Sequence, residues 1–377
     1  MRIIAWGTYD LTKPRTRILL DAMRAAGIDV EEVHADVWSG VRDKSQIRGW
    51  RSKLALGLRW SGQYGSLLWR YLRTPRADAV FVGYLGQLDV LLIRPWAALR
   101  GEKVLWDAFI SLYDTVVNDR AMRAPTSVLA RALFAWEWLS CRAADVVLLD
   151  TAAHARFFED AFGLQRAQTA SVFVGAEGAA FSPGAEPAQR DEVVEVLFYG
   201  QFIPLHGIET IIDAARASDP GRVRFVIIGQ GQEQEKIQRM LDDKPLPNLD
   251  WIPWVEYEEL GARIAQADIC LGIFGDSDKA ARVIPNKVFQ ILSVGKPLIT
   301  RDSPAIRELL SGDEDGVYLV PPRDPTAILQ AIERYRAERT GLPEPLHRDL
   351  VERFSPTAIA RALEGTLLQM LAPKDPR

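Results

Sequence analysis

The fold is decided by residues 194–218, VEVLFYGQFIPLHGIETIIDAARAS. An apolar run ends on Gly200 and is followed, after a loop, by apolar residues at helical spacing from position 208 onward. An apolar run that ends in glycine recurs at 222–229, RVRFVIIG, again with a helical segment behind it. Strands and helices that alternate at this spacing predict a parallel sheet with helices on both faces, joined by right-handed crossovers.

The same alternation extends over the rest of the chain, more loosely in its first half. The predicted strands of the first half are 2–7, 29–35, 78–84, 103–109, 145–150 and 169–174. Those of the second half are 194–200, 222–229, 249–254, 268–274, 296–300 and 316–320. Each set is large enough for a doubly wound, Rossmann-like domain of the α/β class.

The domain boundaries follow from the residues between the two sets. Residues 177–192 are rich in small residues, Gly and Pro, which is typical of a linker. We predict an N-terminal domain, 1–176, and a C-terminal domain, 193–354. An amphipathic segment, 355–371, remains after the second sheet is complete, and we expect this helix to pack back on the first domain.

The composition excludes several classes of protein. The chain has 377 residues and a net charge of −4, so no general attraction to nucleic acid is expected. Its two cysteines, Cys141 and Cys270, are far apart and predict reduced core thiols rather than a disulfide or a metal site.

The first strand begins at the N-terminus without a signal peptide, and no apolar window could span a bilayer. We therefore expect a cytoplasmic protein.

Residues 274–290 carry the clearest chemical signal. They follow a buried strand and enter a helix at Pro285, so free backbone amides are expected at the helix start. Such a helix start attracts phosphate. Lys279, Arg282 and Lys287 add positive charge beside it. Together these residues predict a site for a diphosphate leaving group, whose charge grows as the bond to it breaks.

A family resemblance begins in this segment. Pro285-Asn286-Lys287, then Gln290, then Gly295-Lys296-Pro297 resemble the donor-binding signature P-x-K-x-x-E followed by A-x-G-x-P-V of family 4-like GT-B glycosyltransferases. Residues 198–215 resemble the family's G-R-L-x-x-x-K-G-x-x-x-L-I-x-A, and 225–232 resemble its L-x-I-x-G-x-G. Phe181 and Pro183 match the linker motif, so the resemblance runs in order over residues 170–330.

The resemblance implies a GT-B fold, in which two Rossmann-like domains face a cleft, and transfer of a sugar from a nucleotide-diphosphate sugar. It implies a donor in the second domain, an acceptor in the first, a retaining reaction, and no metal ion or other cofactor. The residues of this chain at the family's donor-binding positions, or beside them, are Gly200, Gln201, His206, Gly229, Gly231, Lys279, Arg282, Asn286, Lys287 and Gln290.

The chain departs from the family pattern at several of these positions. The family's two glutamates fall on Arg282 and Gln290, and its Arg and Lys after the first strand of this domain fall on Gln201 and His206. We expect Lys279 and Arg282 to replace the missing cations, and an amide at position 290 can still bond a ribose hydroxyl. Residues 276–278, Asp-Ser-Asp, are interpreted as a solvated turn rather than a metal motif. Two alternatives stay open: a non-catalytic subunit that binds a nucleotide sugar, and a nucleotide-sugar epimerase.

In the first domain, Asp107 follows the fourth strand, where family members often place a histidine. It is a candidate for the group that supports the acceptor hydroxyl as a base or orients the sugar, or else it caps a turn. Thr8, Arg15 and Arg17 lie in the loop and helix start after the first strand. They are candidates for contacts to phosphate or to an anionic acceptor, or for an ordinary solvated loop.

Residues 42–76 contain nine basic residues, with Trp50, Trp60 and Trp69 among them, and a single acid, Asp43. Segments of this composition can rest on an anionic membrane. They can also be ordinary helices whose side-chain stems cover a core. We hypothesise a lipid-linked or membrane-adjacent acceptor, as in cell-envelope polysaccharide or glycolipid synthesis, and a peripheral location on the inner face of the membrane.

Overall fold

The computed structural model describes residues 1–11, 13–37, 50–120, 122–178, 180–183 and 192–373, with the backbone alone at 50–59 and 61. The chain divides into two compact units. The first unit comprises Met1–Thr115, Arg123–Phe173 and Pro356–Arg377. The second unit comprises Val116–Met122 and Val174–Ser355.

The first unit contains a parallel sheet in the order β2-β1-β3-β4-β5-β6. Its strands are Arg2–Gly7 (β1), Asp29–His34 (β2), Ala79–Val82 (β3), Lys103–Asp107 (β4), Val146–Leu149 (β5) and Thr169–Ser171 (β6). The helices that connect them are Pro14–Ala25 (α1), Trp50–Arg73 (α2), Gln87–Arg100 (α3), Val128–Ala143 (α4) and Ala152–Phe162 (α5).

The second unit contains a parallel sheet in the order β12-β11-β10-β7-β8-β9. Its strands are Val194–Tyr199 (β7), Val223–Ile228 (β8), Leu249–Ile252 (β9), Ile269–Leu271 (β10), Leu298–Arg301 (β11) and Val317–Val320 (β12). Its helices are Ile208–Ala217 (α6), Gln234–Asp243 (α7), Tyr257–Gln266 (α8), Asp278–Arg282 (α9), Asn286–Val294 (α10), Ile306–Leu309 (α11), Pro325–Glu338 (α12) and Arg348–Glu352 (α13).

The last helix of the chain, Pro356–Leu371 (α14), completes the first unit. On one face of the first sheet, α2 to α5 pack over Trp6 and Trp106. On the other face, the crossover helix α1 shares the core with α14, through Leu363 and Leu367. Without α14, much of this apolar sheet face would be left in water, so the C-terminal helix belongs to the core of the first unit.

Both units therefore confirm the predicted fold class of two Rossmann-like domains. Cys141 and Cys270 are buried free thiols, one in each unit. Within the described ranges, no helix has both the length and the hydropathy needed to cross a bilayer.

Candidate functional site

The strand order of the second sheet reverses between β7 and β10, which lie side by side. In open parallel sheets such a reversal opens a crevice at the carboxyl ends of the strands, where ligands bind. The loops after these two strands are joined by backbone hydrogen bonds, Phe274 N to His206 O at 3.0 Å and Gly275 N to Leu205 O at 3.2 Å. A Cβ on Gly207, which has φ +65°, would lie 2.7 Å from Gly275 N. The close approach of the two loops thus depends on glycine.

The predicted glycines after β7 and β8 also pack loops together. Gly229 has φ +140°, and a Cβ there would lie 1.9 Å from Gly200 O. A Cβ on Gly231 would lie 2.8 Å from Phe202 N. Backbone of the loop after β7 fills the space beside both glycines. In the structure, Gly229 and Gly231 therefore allow the loops after β7 and β8 to touch.

Lys287 lies in the first turn of α10, at the edge of this crevice. Its side chain is only 5% exposed, and Nζ lies 3.7 Å from the centroid of the Phe198 ring. Among the described residues, Nζ has no hydrogen-bond partner. Burial lowers the pKa of the Lys287 ammonium well below its usual value. A buried cation held only over an aromatic ring is costly, and an anion at this place would offset the cost.

His206 lies beside Lys287: a Cβ on Gly200 would meet both side chains, at 3.0 Å from Lys287 Nζ and 3.1 Å from His206 Cε1. Nδ1 of His206 is hydrogen-bonded to Gln201 O. Burial, and then the charge of Lys287, hold the pKa of His206 well below its usual range. The imidazole is therefore neutral near pH 7, and His206 does not supply the charge of the family's lysine.

Gln290, one turn along α10 from Lys287, is held by Tyr199 at the end of β7. The Tyr199 hydroxyl lies 3.1 Å from Gln290 Oε1 and 3.3 Å from Lys287 O. Gln290 is buried, whereas Asn286 at the start of α10 is half-buried and Gln201 is exposed. The sequence did not identify Tyr199, because it is indistinguishable from the other apolar residues of its strand.

Lys279 and Arg282 lie in α9, and Arg282 is half-buried in the last turn. Lys279 is buried, and its Nζ lies 3.6 Å from Asp119 Oδ2. Asp119 belongs to Val116–Met122, the early part of the chain that joins the second unit. Sequence spacing gave no sign of this pair, since its members are far apart along the chain.

Two further arginines fix the loop after β10. Arg301, at the end of β11, donates from Nη1 to Gly275 O and to Ser277 O, the latter at 3.3 Å. Asp276 Oδ1 lies 3.0 Å from Arg323 Nε. The Asp276 carboxylate is thus engaged with an arginine in an exposed ion pair.

In the first unit, the structure joins two candidates to which the sequence assigned separate roles. Arg15 Nη2 lies 2.9 Å from Asp107 Oδ1, and Arg15 Nε lies 3.1 Å from the same oxygen. The guanidinium also donates to Val172 O and Leu149 O, and neither charged side chain is more than 1% exposed. Burial raises the pKa of Asp107, and Arg15 opposes that effect. In this structure the pair ties the ends of neighbouring strands together.

Thr8, directly after β1, is held by Asp89 in the first turn of α3. Thr8 N lies 2.6 Å from Asp89 Oδ2, and its hydroxyl lies 3.1 Å from Oδ1. Tyr64 donates to Asp89 at 2.6 Å, and Trp60 Nε1 donates to Thr8 Oγ1 at 2.6 Å. Arg17 donates from Nη1 to Leu11 O at 2.5 Å. The contacts of Thr8 with Asp89 and Trp60 fix the start of the loop after β1 from inside the unit, whereas the Arg17 contact lies at the surface.

A second buried pair follows β5 and was missed by the sequence analysis. His154 Nδ1 lies 2.7 Å from Asp150 Oδ1, and both side chains are buried. The i, i+4 spacing of an acid before a helix and a histidine in its first turn is the signal that could have identified it.

Only part of the basic, aromatic segment 42–76 is described. Arg42, Asp43, Lys44 and Arg48 lie outside the described residues, as do the side chains of Trp50, Arg51, Lys53, Leu54, Leu56, Leu58 and Arg59. In the described end of α2, Trp69 and Leu72 are exposed, and Arg73 Cζ lies 3.9 Å from the Trp69 ring centroid. Tyr64, Leu67 and Tyr71 face the core instead. The helix is thus amphipathic.

The comparison with known proteins gives a family match in the second unit. Residues 194–337 match the model of a family described as Glycosyl transferases group 1. Over 100 residues the chain is 29% identical to the putative colanic acid biosynthesis glycosyl transferase WcaI of Escherichia coli K12. That match covers 26% of this chain and 24% of WcaI.

Solved structures resemble the whole chain. Sucrose-phosphate synthase from Thermosynechococcus elongatus has a TM-score of 0.68 at 17% identity, covering 98% of this chain and 97% of that one. Anabaena Alr3699/HepE in complex with UDP has a TM-score of 0.69 at 14% identity, covering 97% and 99%. HepE has also been solved with UDP-glucose. At such identities these likenesses show the fold, which is of the GT-B type.

Proposed function

We propose that the chain is a glycosyltransferase that moves a sugar from a nucleotide-diphosphate sugar, held by the second unit, to an acceptor held by the first, because residues 194–337 match the family model Glycosyl transferases group 1. The complexes of HepE with UDP and UDP-glucose support a donor of this class. The name of WcaI supports a role in polysaccharide synthesis, and we extend it to cell-envelope polysaccharides or glycolipids.

The observation that carries the proposal is the buried ammonium of Lys287 at the start of α10. As the sugar departs, negative charge grows on the diphosphate. A cation in a partly dry crevice stabilises that charge more strongly than a solvated one, and the helix start adds backbone amides. Lys287 would then supply the charge that a metal ion provides in other enzymes, so the proposed reaction is metal-independent. Retention of anomeric configuration rests on the family resemblance.

Gln290 is proposed to bind the ribose of the donor with reversed hydrogen-bond polarity. Where the family's glutamate accepts from a ribose hydroxyl, the Gln290 carbonyl already accepts from Tyr199. The amide nitrogen then donates to a ribose oxygen. His206, neutral and bonded to Gln201 O, is proposed to shape the phosphate site without adding charge.

A binding experiment tests the donor site. Thermal shift against a panel of nucleotide sugars identifies the donor, and titration calorimetry then compares Lys287→Met with Lys244→Met, an exposed lysine of the same unit. A charge-assisted hydrogen bond contributes roughly 1.5–3 kcal/mol, so we expect Lys287→Met to weaken binding about 10- to 100-fold. Lys244→Met should bind as the wild type does. Equal affinity in Lys287→Met would contradict the proposed site.

A turnover experiment separates the alternatives. Transfer predicts release of nucleoside diphosphate that depends on an added acceptor and persists in the presence of a chelator. Tight donor binding without turnover would favour the accessory subunit. A change in the sugar without acceptor would favour the epimerase.

We also propose that the acceptor is lipid-linked or membrane-adjacent, with the protein in the cytoplasm on the inner face of the membrane. The support is the exposed, basic end of α2, where Arg73 stacks on Trp69 beside Leu72. Co-sedimentation with anionic vesicles at low salt tests this proposal, and a protein that stays in the supernatant would contradict it.

A further inference from the structure

Helix α4 carries an exposed apolar surface that the proposed function does not use. Its residues Val128, Leu129, Trp136, Trp138 and Leu139 are between 36% and 84% exposed. Single exposed apolar residues are common on proteins, but five on one helix of 16 residues form a patch.

The exposed apolar residues from Val128 to Leu139 lie in one strip, which ends before the buried Ala143. At about 100° per residue, Val128, Leu139, Ala132, Trp136 and Leu129 fall in that order within roughly a quarter-turn of the helix. Arg142, Arg131 and Trp138 lie along one edge of this strip. The opposite side is turned inward, with Ala130, Glu137 and Cys141 buried. The helix therefore has a core face, an apolar outer face and a cationic edge.

The charge of this surface has one sign. Between Arg123 and Ala143 the single acidic residue is Glu137. Its carboxylate is buried and accepts from Ser111 Oγ at 2.5 Å and Leu112 N at 2.8 Å. Arg131 and Arg142 are both exposed. Arg142 Cζ lies 3.6 Å from the ring centroid of Trp138, so a cation and an indole are presented together.

We propose that α4 is a membrane-docking helix, which lies along an anionic bilayer with its apolar strip in the headgroup and acyl boundary. The arginine edge then meets lipid phosphates, and the tryptophans occupy the interfacial layer that indoles prefer. The surface extends the membrane part of the proposed function to a second helix, and it is independent of the donor site.

The charge pattern favours a bilayer over a protein partner. A protein interface presents a polar rim that matches charges of both signs on its partner. A bilayer with anionic lipids requires apolar area and cations only. The exposed surface of α4 offers these two properties and no acidic group.

The test is co-sedimentation of the full chain with vesicles of phosphatidylcholine and phosphatidylglycerol, against vesicles of phosphatidylcholine alone. The variants are Leu139→Glu and Arg131→Gln, neither of which removes a buried side chain. The control is Leu368→Glu on α14, the helix that covers the opposite face of the first sheet. Leu368 is 56% exposed, which is close to the 50% exposure of Leu139. Donor binding is measured in parallel on each variant.

We expect the wild type and Leu368→Glu to bind the anionic vesicles and Leu139→Glu to bind them at least tenfold more weakly. Arg131→Gln should lose about fivefold, because a basic residue near an anionic surface contributes on the order of 1 kcal/mol. Donor affinity should be unchanged in all variants, so failure at the membrane is distinguishable from failure of the transfer site.

Equal vesicle binding by Leu139→Glu and the wild type would overturn the proposal. A change of oligomeric state in Leu139→Glu, with vesicle binding retained, would overturn it in favour of a second copy of the chain.

Discussion

Arg15 and Asp107 form a buried ion pair in the first unit, with Arg15 Nη2 2.9 Å from Asp107 Oδ1 and both side chains shielded from water. The pair connects the start of α1 with the end of β4. The remaining donors of Arg15 reach carbonyls after β6 and at the end of β5. The Arg15 side chain thus connects the ends of β4, β5 and β6, in the domain to which the family resemblance assigns the acceptor.

Removal of one partner of this pair should destabilise the protein strongly. Arg15→Met leaves the Asp107 carboxylate buried without its cation, and such changes cost about 3–5 kcal/mol. Urea unfolding should show a matching loss in the free energy of unfolding, while Arg17→Met should change it by less than about 0.5 kcal/mol. The double variant Arg15→Met, Asp107→Leu should recover part of the loss. A single variant as stable as the wild type would contradict this account.

Gly229→Ala should disrupt the donor site through the backbone. The residue has φ +140°, and the added methyl group would lie 1.9 Å from Gly200 O, so the loops after β7 and β8 must move apart. We expect lower stability and weaker donor binding, measured by thermal unfolding and calorimetry. Gly65→Ala is the matched control: it lies in α2 with open space around it, and should stabilise by about 0.5–1 kcal/mol.

The sequence was sufficient to predict the fold, because buried parallel strands give apolar runs and their crossovers give helical periodicity. Short elements were less visible. The predicted strand 268–274 is only Ile269–Leu271 in the structure, and the residues after it turn to meet the loop after β7. Helix α13, Arg348–Glu352, was not predicted, because a helix of five residues is too short to show helical periodicity in its apolar residues.

The site was predictable only where it lies within one segment. The position of the segment around Lys287 at the crevice could be predicted from the order of strand and helix and from the family resemblance. The partners of Lys279 and Arg15 could not be predicted, because tertiary packing brings Asp119 and Asp107 to them over long stretches of chain. Periodicity describes neighbours along an element and carries no information about such pairs.

Tyr199→Phe should weaken donor binding without removing a residue that touches the donor. The hydroxyl holds Gln290 Oε1 at 3.1 Å, and its loss leaves a buried carbonyl oxygen unsatisfied and the amide free to turn. We expect a stability loss of about 1 kcal/mol. The dissociation constant for the donor should rise severalfold in calorimetry, with the largest effect on the nucleoside part of the ligand. Binding that is unchanged while stability falls would assign Tyr199 a purely structural role.

His347 should make the stability of the second unit depend on pH. Its Nε2 lies 3.0 Å from Lys296 O, so Nε2 carries the proton of the neutral ring and a second proton would have to enter at Nδ1. Burial lowers the pKa of His347 to about 4. The unfolded chain, with a histidine pKa near 6.5, therefore binds more protons, and stability present above that pH is lost as the pH falls toward 4. The loss amounts to about 3 kcal/mol at most.

His347→Asn tolerates the left-handed backbone at this position, φ +68°, and removes the titrating group. Urea unfolding between pH 4.5 and 7 should show a shallower slope for this variant than for the wild type, with His206 contributing a residual slope of the same sign. Equal slopes in the two proteins would show that His347 is as easily protonated in the folded state as in the unfolded chain.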